Sequence, residues 1–179
     1  MVVLLLSIYY RVMKTTIFRD YIESPIGLIV VEATSKGVSS IRFLDENEEV
    51  LNDLTNPHTM EAIEWIDQYF NGESKLGFEF PLDLQGTTFQ KTVWKELCKI
   101  KYGTVVSYLD ISERIGNPKA IRAVGAANGQ NPIALAIPCH RVIGSDGSLT
   151  GYAGGIGRKK WLLQHEGHTK YGHEQLSMF

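Results

Sequence analysis

The chain has 179 residues, 44% hydrophobic and 21% charged, proportions of a globular protein with room for one large domain or two small ones. Net charge is −2, but six basic residues meet fourteen acidic ones through Gln85, and twelve meet six from Gly86 onward. A basic half beside an acidic one suggests nucleic-acid contact. Two cysteines, Cys98 and Cys139, exclude a disulfide framework and suit a reducing compartment; His165, His168 and His173 lie far from both, so no zinc spacing exists.

Residues 1–12 hold an apolar run at 2–6, far short of the about 20 residues a spanning helix takes. No basic segment precedes it and no small-residue cleavage site follows, so no secretory signal is expected. Either the chain starts at Met13-Lys14, or this extension adds a strand to a sheet edge.

Residues 13–85 read as an α+β domain, a small β-sheet with one helix. Runs rich in β-branched and aromatic residues at 15–22 and 28–33 flank the turn sequence Ser24-Pro25-Ile26-Gly27. A third, at 38–43, follows Ser35-Lys36-Gly37, which predicts a meander. Asn56-Pro57 breaks the chain; Met60, Ile63, Trp65, Ile66, Tyr69 and Phe70 then recur at helical spacing until Asn71-Gly72. Phe78-Glu79-Phe80 is expected to return to the sheet. Nothing in this half announces a reaction, and its aromatic residues read as core.

Residues 86–179 differ in character. Thr87 with Gln90 resembles a capping box, followed by Phe89, Val93, Trp94 and Leu97 on one helical face. Cys98 on this helix reads as a small core residue, and Tyr102-Gly103 ends it. Ser107 caps a short helix through Ile115, Gly116-Asn117-Pro118 makes a tight turn, and 119–128 form a second short helix rich in small residues. Helix, glycine-containing turn, helix is the helix-turn-helix pattern, here with Lys119 and Arg122 on the second helix. The predicted class is therefore an α+β domain followed by a mainly α-helical, winged helix-turn-helix-like domain. Further on, Ser145-Asp146-Gly147-Ser148 reads as a hairpin turn and 151–155 as a flexible loop. The last helix, 158–165, sets Trp161, Leu162 and His165 on one side.

Pro138-Cys139-His140-Arg141-Val142 ends a strand-like apolar run at 133–137. Proline cannot donate to a continuing ladder, so the chain turns there. A histidine beside a cysteine favours the thiolate, the reactive form, which makes Cys139 a candidate nucleophile. A plain buried cysteine beside a surface histidine is the alternative.

IPCHRV, preceded by GNPKAIRAVG and followed by GYAGG and LLQHEGH, resembles the O6-alkylguanine-DNA alkyltransferases, or methylated-DNA–protein-cysteine methyltransferases. The similarity runs from about Thr88 to His168 and extends more weakly to SPIGLIVVEA. It implies repair by irreversible, single-turnover transfer of an alkyl group from guanine O6, and from O4-alkylthymine, to Cys139. It makes His140 a base acting through water, Glu166 the residue that orients it, and Asn131 the holder of the turn. Tyr108 would donate to the purine, the carbonyls of Cys139 and Val142 would accept from its amino group, and Tyr152 and Ala153 would close over the base. Arg122 would be the finger that replaces a base flipped from double-stranded DNA. Lys119, Ala123, Ala126 and Ala127 would accompany it into the minor groove.

The resemblance implies no cofactor; some members hold a structural zinc, for which this chain lacks the cysteines. It also implies a monomer, cytoplasmic or wherever the cell keeps its DNA, without membrane or secretion. A Cys-His hydrolase, or a protein that binds damage without transfer, is the alternative. Neither explains as much: a hydrolase needs no basic helix-turn-helix, and a mere binder needs no cysteine.

Overall fold

The computed structural model describes residues 15–45, 47–51, 54–73 and 77–171; the extension at 1–12 lies outside them. Three antiparallel strands, β1 (Phe18–Ile22), β2 (Ile29–Thr34) and β3 (Gly37–Phe43), form the meander in the order β1-β2-β3. Strand β1 is shorter than the run 15–22, because residues 15–17 have no ladder partner. Helix α1 (Pro57–Phe70) starts at an Asn56 cap: the Thr59 N–H donates to Asn56 Oδ1 at 2.9 Å, and the Asn56 N–H to Thr59 Oγ1 at 3.1 Å. Its buried Ala62, Ile66 and Tyr69 lie on one stripe. Residues 78–80 do not rejoin the sheet as a strand. The return comes two residues later and is one bridge long, Leu82 beside Val38.

Helix α2 (Thr88–Leu97) carries the capping box, with the Gln90 N–H on Thr87 Oγ1 at 3.2 Å and the Thr87 N–H on Gln90 Oε1 at 2.7 Å. It ends at Leu97 rather than at Tyr102, and Cys98, its C-cap, is exposed instead of core. Gly103 has φ of 68°, a left-handed turn residue outside any helix. Ser107 caps α3 (Tyr108–Arg114), and a 3₁₀ turn at Pro118–Ala120 leads into α4 (Ile121–Gly129), which completes the helix-turn-helix. Trp94, 1% exposed, locks α2 to α4 by donating from Nε1 to the Ala127 carbonyl at 2.8 Å.

The wing is smaller than the sequence suggests. Strand β5 (Val142–Ile143) pairs in parallel with β4 (Val106–Ser107). Residues 145–148 do turn, closed by the Gly144 N–H on Ser148 O at 2.8 Å, but among the described residues no second strand follows to make a hairpin. Helix α5 (Ile156–His165) follows, with a 3₁₀ turn at Thr169–Tyr171 after it.

The apolar run at 133–137 is not a strand. Only Ile133 bridges, in parallel, to Ile41 of β3, and residues 134–136 turn at once. Reciprocal bonds, Ile41 N–H to Pro132 O at 3.0 Å and Ala134 N–H to Ile41 O at 2.8 Å, dock this segment on the amino-terminal sheet. Side chains of both halves fill one continuous core, Ile41 and Ile133 among them.

Ile41 is 1% exposed at that junction, so Ile41→Ala is expected to cost about 2–5 kcal/mol. Both halves should still unfold together in one transition at lower denaturant. A loss below about 1 kcal/mol, or two separate transitions, contradicts the shared core.

Candidate active site

The chain reaches Cys139 through a knot of short bonds. Ile137 N–H donates to Ile133 O at 3.0 Å and Cys139 N–H to Ile137 O at 2.8 Å. Leu135 within it has φ of 67°, the one left-handed non-glycine among the described residues, a conformation that costs energy and must be held from outside. Asn131 holds it. Its Nδ2 faces Ile137 O at 2.7 Å, Ile133 O at 3.3 Å and Cys139 Sγ at 3.0 Å, while Oδ1 accepts the Ile133 N–H at 3.0 Å.

Cys139 opens a 3₁₀ turn, Cys139–Arg141, at 5% exposure. Burial pushes its thiol up, and the Asn131 amide and the Lys159 charge pull against that. No hydrogen bond joins Sγ to the His140 ring. The fully buried ring instead sets Nε2 2.9 Å from Glu166 Oε1, and Nδ1 has no partner among the described residues.

Glu166 gathers five contacts. Arg141 grips it with a fork, Nε to Oε2 and Nη2 to Oε1, both at 2.9 Å; Tyr69 OH donates to Oε1 at 2.8 Å and the Gly103 N–H to Oε2 at 3.2 Å. Burial alone would raise the Glu166 carboxyl, but His140 and Arg141 override it and hold it well below the ordinary carboxylate range. An ionised Glu166 accepts the Nε2 proton of His140, which leaves the Nδ1 lone pair basic. Burial lowers the imidazole below its usual value, against the pull of Glu166, so the ring is neutral near pH 7.

Cys139 lines a pocket of about 220 Å³ with Asn128, Asn131, Ala134, Tyr152 and Ala153. Tyr108 and Val142 are not in that lining. The Tyr108 hydroxyl donates to Thr150 O at 3.1 Å. The Val142 carbonyl accepts from Lys159 Nζ at 2.7 Å, and the Cys139 carbonyl from Asn128 Nδ2 at 3.4 Å. The Cys139 carbonyl also accepts the Val142 N–H, which closes the 3₁₀ turn. Lys159, fully buried, also donates to Thr150 O at 2.9 Å, and burial lowers its ammonium to about 8.

On the helix-turn-helix face Lys119, Arg122, Ala123 and Ala126 are exposed. Ala127 is a correction: it is 2% exposed and packs into the core under Trp94, so its side chain cannot reach a groove. Sequence reading also passed over Arg141, Tyr69, Asn128 and Lys159 as site residues. Arg141 stands inside the quoted motif, and a salt-bridge partner for an acidic orienter was the available clue. Tyr69 and Lys159 sit on helices with nothing local to mark them. Among the described residues no group of three His, Cys, Asp or Glu could hold a metal ion.

Residues 17–84 match the ribonuclease-like domain of 6-O-methylguanine DNA methyltransferase, and residues 88–168 match its DNA binding domain. A methylated-DNA–protein-cysteine methyltransferase of Methanosarcina barkeri is 46% identical over 83% of this chain and 96% of its own. The chain belongs to the 6-O-methylguanine DNA methyltransferase family. Its fold agrees with the crystal structure of the Mycobacterium tuberculosis O6-methylguanine methyltransferase, with a TM-score of 0.76 and 44% identity over 84% of this chain and 93% of that one. The M. tuberculosis protein in complex with DNA gives 0.73 and 45% over 82% and 90%.

Glu166 lies lower in the folded than in the unfolded chain, so its ionised form stabilises the fold above an ordinary glutamate pKa of about 4.3. That contribution is lost as pH falls through the folded value. Glu166→Gln should therefore be less stable by about 3–5 kcal/mol at neutral pH, with the gap narrowing below about pH 4. Urea unfolding of both proteins at pH 7 and pH 3 checks this; an equal gap at both contradicts it.

Proposed function

We propose that this protein repairs O6-alkylated guanine in double-stranded DNA, and O4-alkylated thymine alongside it, by moving the alkyl group onto Cys139 once per molecule. The observation that carries this is a buried cysteine on a pocket wall, next to a neutral histidine whose other nitrogen is fixed by an ionised carboxylate. The names of its relatives, methylated-DNA–protein-cysteine methyltransferases, support the same chemistry.

Nucleophile, base and orienter take their parts in order. His140 accepts the thiol proton at Nδ1 through a bridging water, since no direct bond joins the two side chains. Sγ attacks the alkyl carbon, the C–O6 bond breaks, and its electron pair stays on guanine O6. A thioether forms, with no step to remove it. Asn131 acts by holding the turn and facing Sγ, so it orients the nucleophile.

The Tyr108 hydroxyl must exchange Thr150 O for the purine, while the Val142 and Cys139 carbonyls accept from the guanine amino group, Cys139 in exchange for its long contact with Asn128 Nδ2. Tyr152 and Ala153 form the side of the pocket that closes over the base. Reaching a stacked base means extruding it, at a cost of a few kcal/mol. Exposed Arg122 fills the vacated place, with Lys119, Ala123 and Ala126 on the groove side. The working division is 13–85 and 86–179, the first part bracing the second. The protein acts as a monomer in whichever compartment holds the cell's DNA.

Incubation with a duplex carrying O6-methylguanine should add one methyl group to Cys139, one per molecule, by intact-protein mass spectrometry. Consumption of excess substrate over many cycles indicates a hydrolase instead, and a label on Cys98 ends the assignment. Cys139→Ser should bind the duplex and accept nothing.

Arg122→Ala separates DNA handling from chemistry. Repair of the duplex should fall far more than reaction with free O6-benzylguanine, because the free base needs no extrusion. Single-turnover rates on both substrates check it, and equal losses contradict the finger role.

A further inference from the structure

Arg158 stands between two hollows. One is the Cys139 pocket; the other, of about 350 Å³, opens on the amino-terminal half between Pro25, Leu28, Leu44 and Val50. Among the described residues only Arg158 and Asp45 line both. The guanidinium is held by two hydrogen bonds and one ring face. Nε donates to Ile26 O at 2.8 Å, Nη1 to Gly154 O at 3.2 Å, and the group lies 4.5 Å over the Phe43 ring. Gly27 leaves it room, since a Cβ there would stand 3.1 Å from Nη2.

We propose that Arg158 is the end wall of the Cys139 pocket and sets the length of alkyl group the protein accepts, an inference that rests on the alkyl-transfer reading. The transferred carbon becomes bonded to Sγ, its bond to O6 breaks with the pair left on guanine, and the group stays in whatever space Cys139 lines. A benzene ring alone takes a cavity of about 150 Å³, and the pocket of about 220 Å³ also has to admit the edge of the base under Tyr152 and Ala153, so the room left suits a methyl or a single-ring group at most. A second ring in line with the first has to pass Arg158. The space behind the wall is larger and mostly apolar, so removing the bulk of the side chain offers an aryl extension somewhere to go.

Single-turnover rates on duplexes carrying O6-methyl-, O6-benzyl- and O6-(4-phenylbenzyl)guanine, read as adduct mass, test this in wild type, Arg158→Ala and Arg158→Met. Wild type should handle the first two and slow by about tenfold or more at the third, the scale on which a closed pocket rejects excess bulk. Arg158→Ala should raise the 4-phenylbenzyl-to-methyl rate ratio by about tenfold. Arg158→Met keeps most of the side-chain volume without the tethers and should leave the ratio near wild type. An unchanged ratio in Arg158→Ala overturns the proposal. So does an equal rise in both variants, which would trace the gain to a loosened Gly154. Should Arg158→Ala not fold, the wild-type series decides: comparable rates for all three groups overturn the wall, and a fall at the second ring upholds it. Transfer of none of the three sinks the alkyl-transfer reading and the wall with it, whereas methyl transfer with an unchanged ratio sinks the wall alone.

Discussion

Burying the Glu166 carboxylate costs several kcal/mol, and residues from three separate stretches of chain converge to offset it. Tyr69 comes from α1, Gly103 from the loop after α2, His140 and Arg141 from the turn that carries the nucleophile. None of these contacts is local in sequence, so the site exists only when the whole chain is folded. The same carboxylate that fixes the imidazole tautomer also pins the end of α5 to the core. Stability and chemistry therefore draw on one group, and a change there is felt in both.

The acidic half is part of the site's frame. Ile41 of β3 exchanges backbone bonds with residues 132 and 134, upstream of the strained Leu135. Tyr69 supplies its hydroxyl to Glu166, and its own carbonyl faces His165 Nε2 at 2.9 Å. Phe43 and Ile26 hold Arg158 at the pocket's edge. A half with no nucleophile or base of its own thus sets the position of those in the other.

Elements governed by short-range bonds were legible in the sequence. Thr87 with Gln90 and Ser107 ahead of α3 both cap as read, because a cap depends on residues three apart. The meander likewise followed from β-branched runs and glycine turns. The apolar run at 133–137 was misread for the opposite reason: composition favours a strand, and only the Asn131 amide and the Ile41 backbone force it to turn. Cys98 and Ala127 exchanged the expected environments, exposed and buried, because one-residue differences in helix end and phase are invisible to periodicity. Within the site, nucleophile, base and orienter came from the motif resemblance, while Arg141, Tyr69 and Lys159 came only from distances.

The central claim is that Glu166 governs transfer through His140. The direct measurement is the single-turnover rate of free O6-benzylguanine with Glu166→Gln against wild type, under conditions where both are folded. A free base removes DNA binding and base extrusion from the comparison. The account predicts slower transfer by about 10²-fold, the scale of a lost general base, with the adduct still on Cys139. Equal rates would place Glu166 in the fold alone and contradict the account.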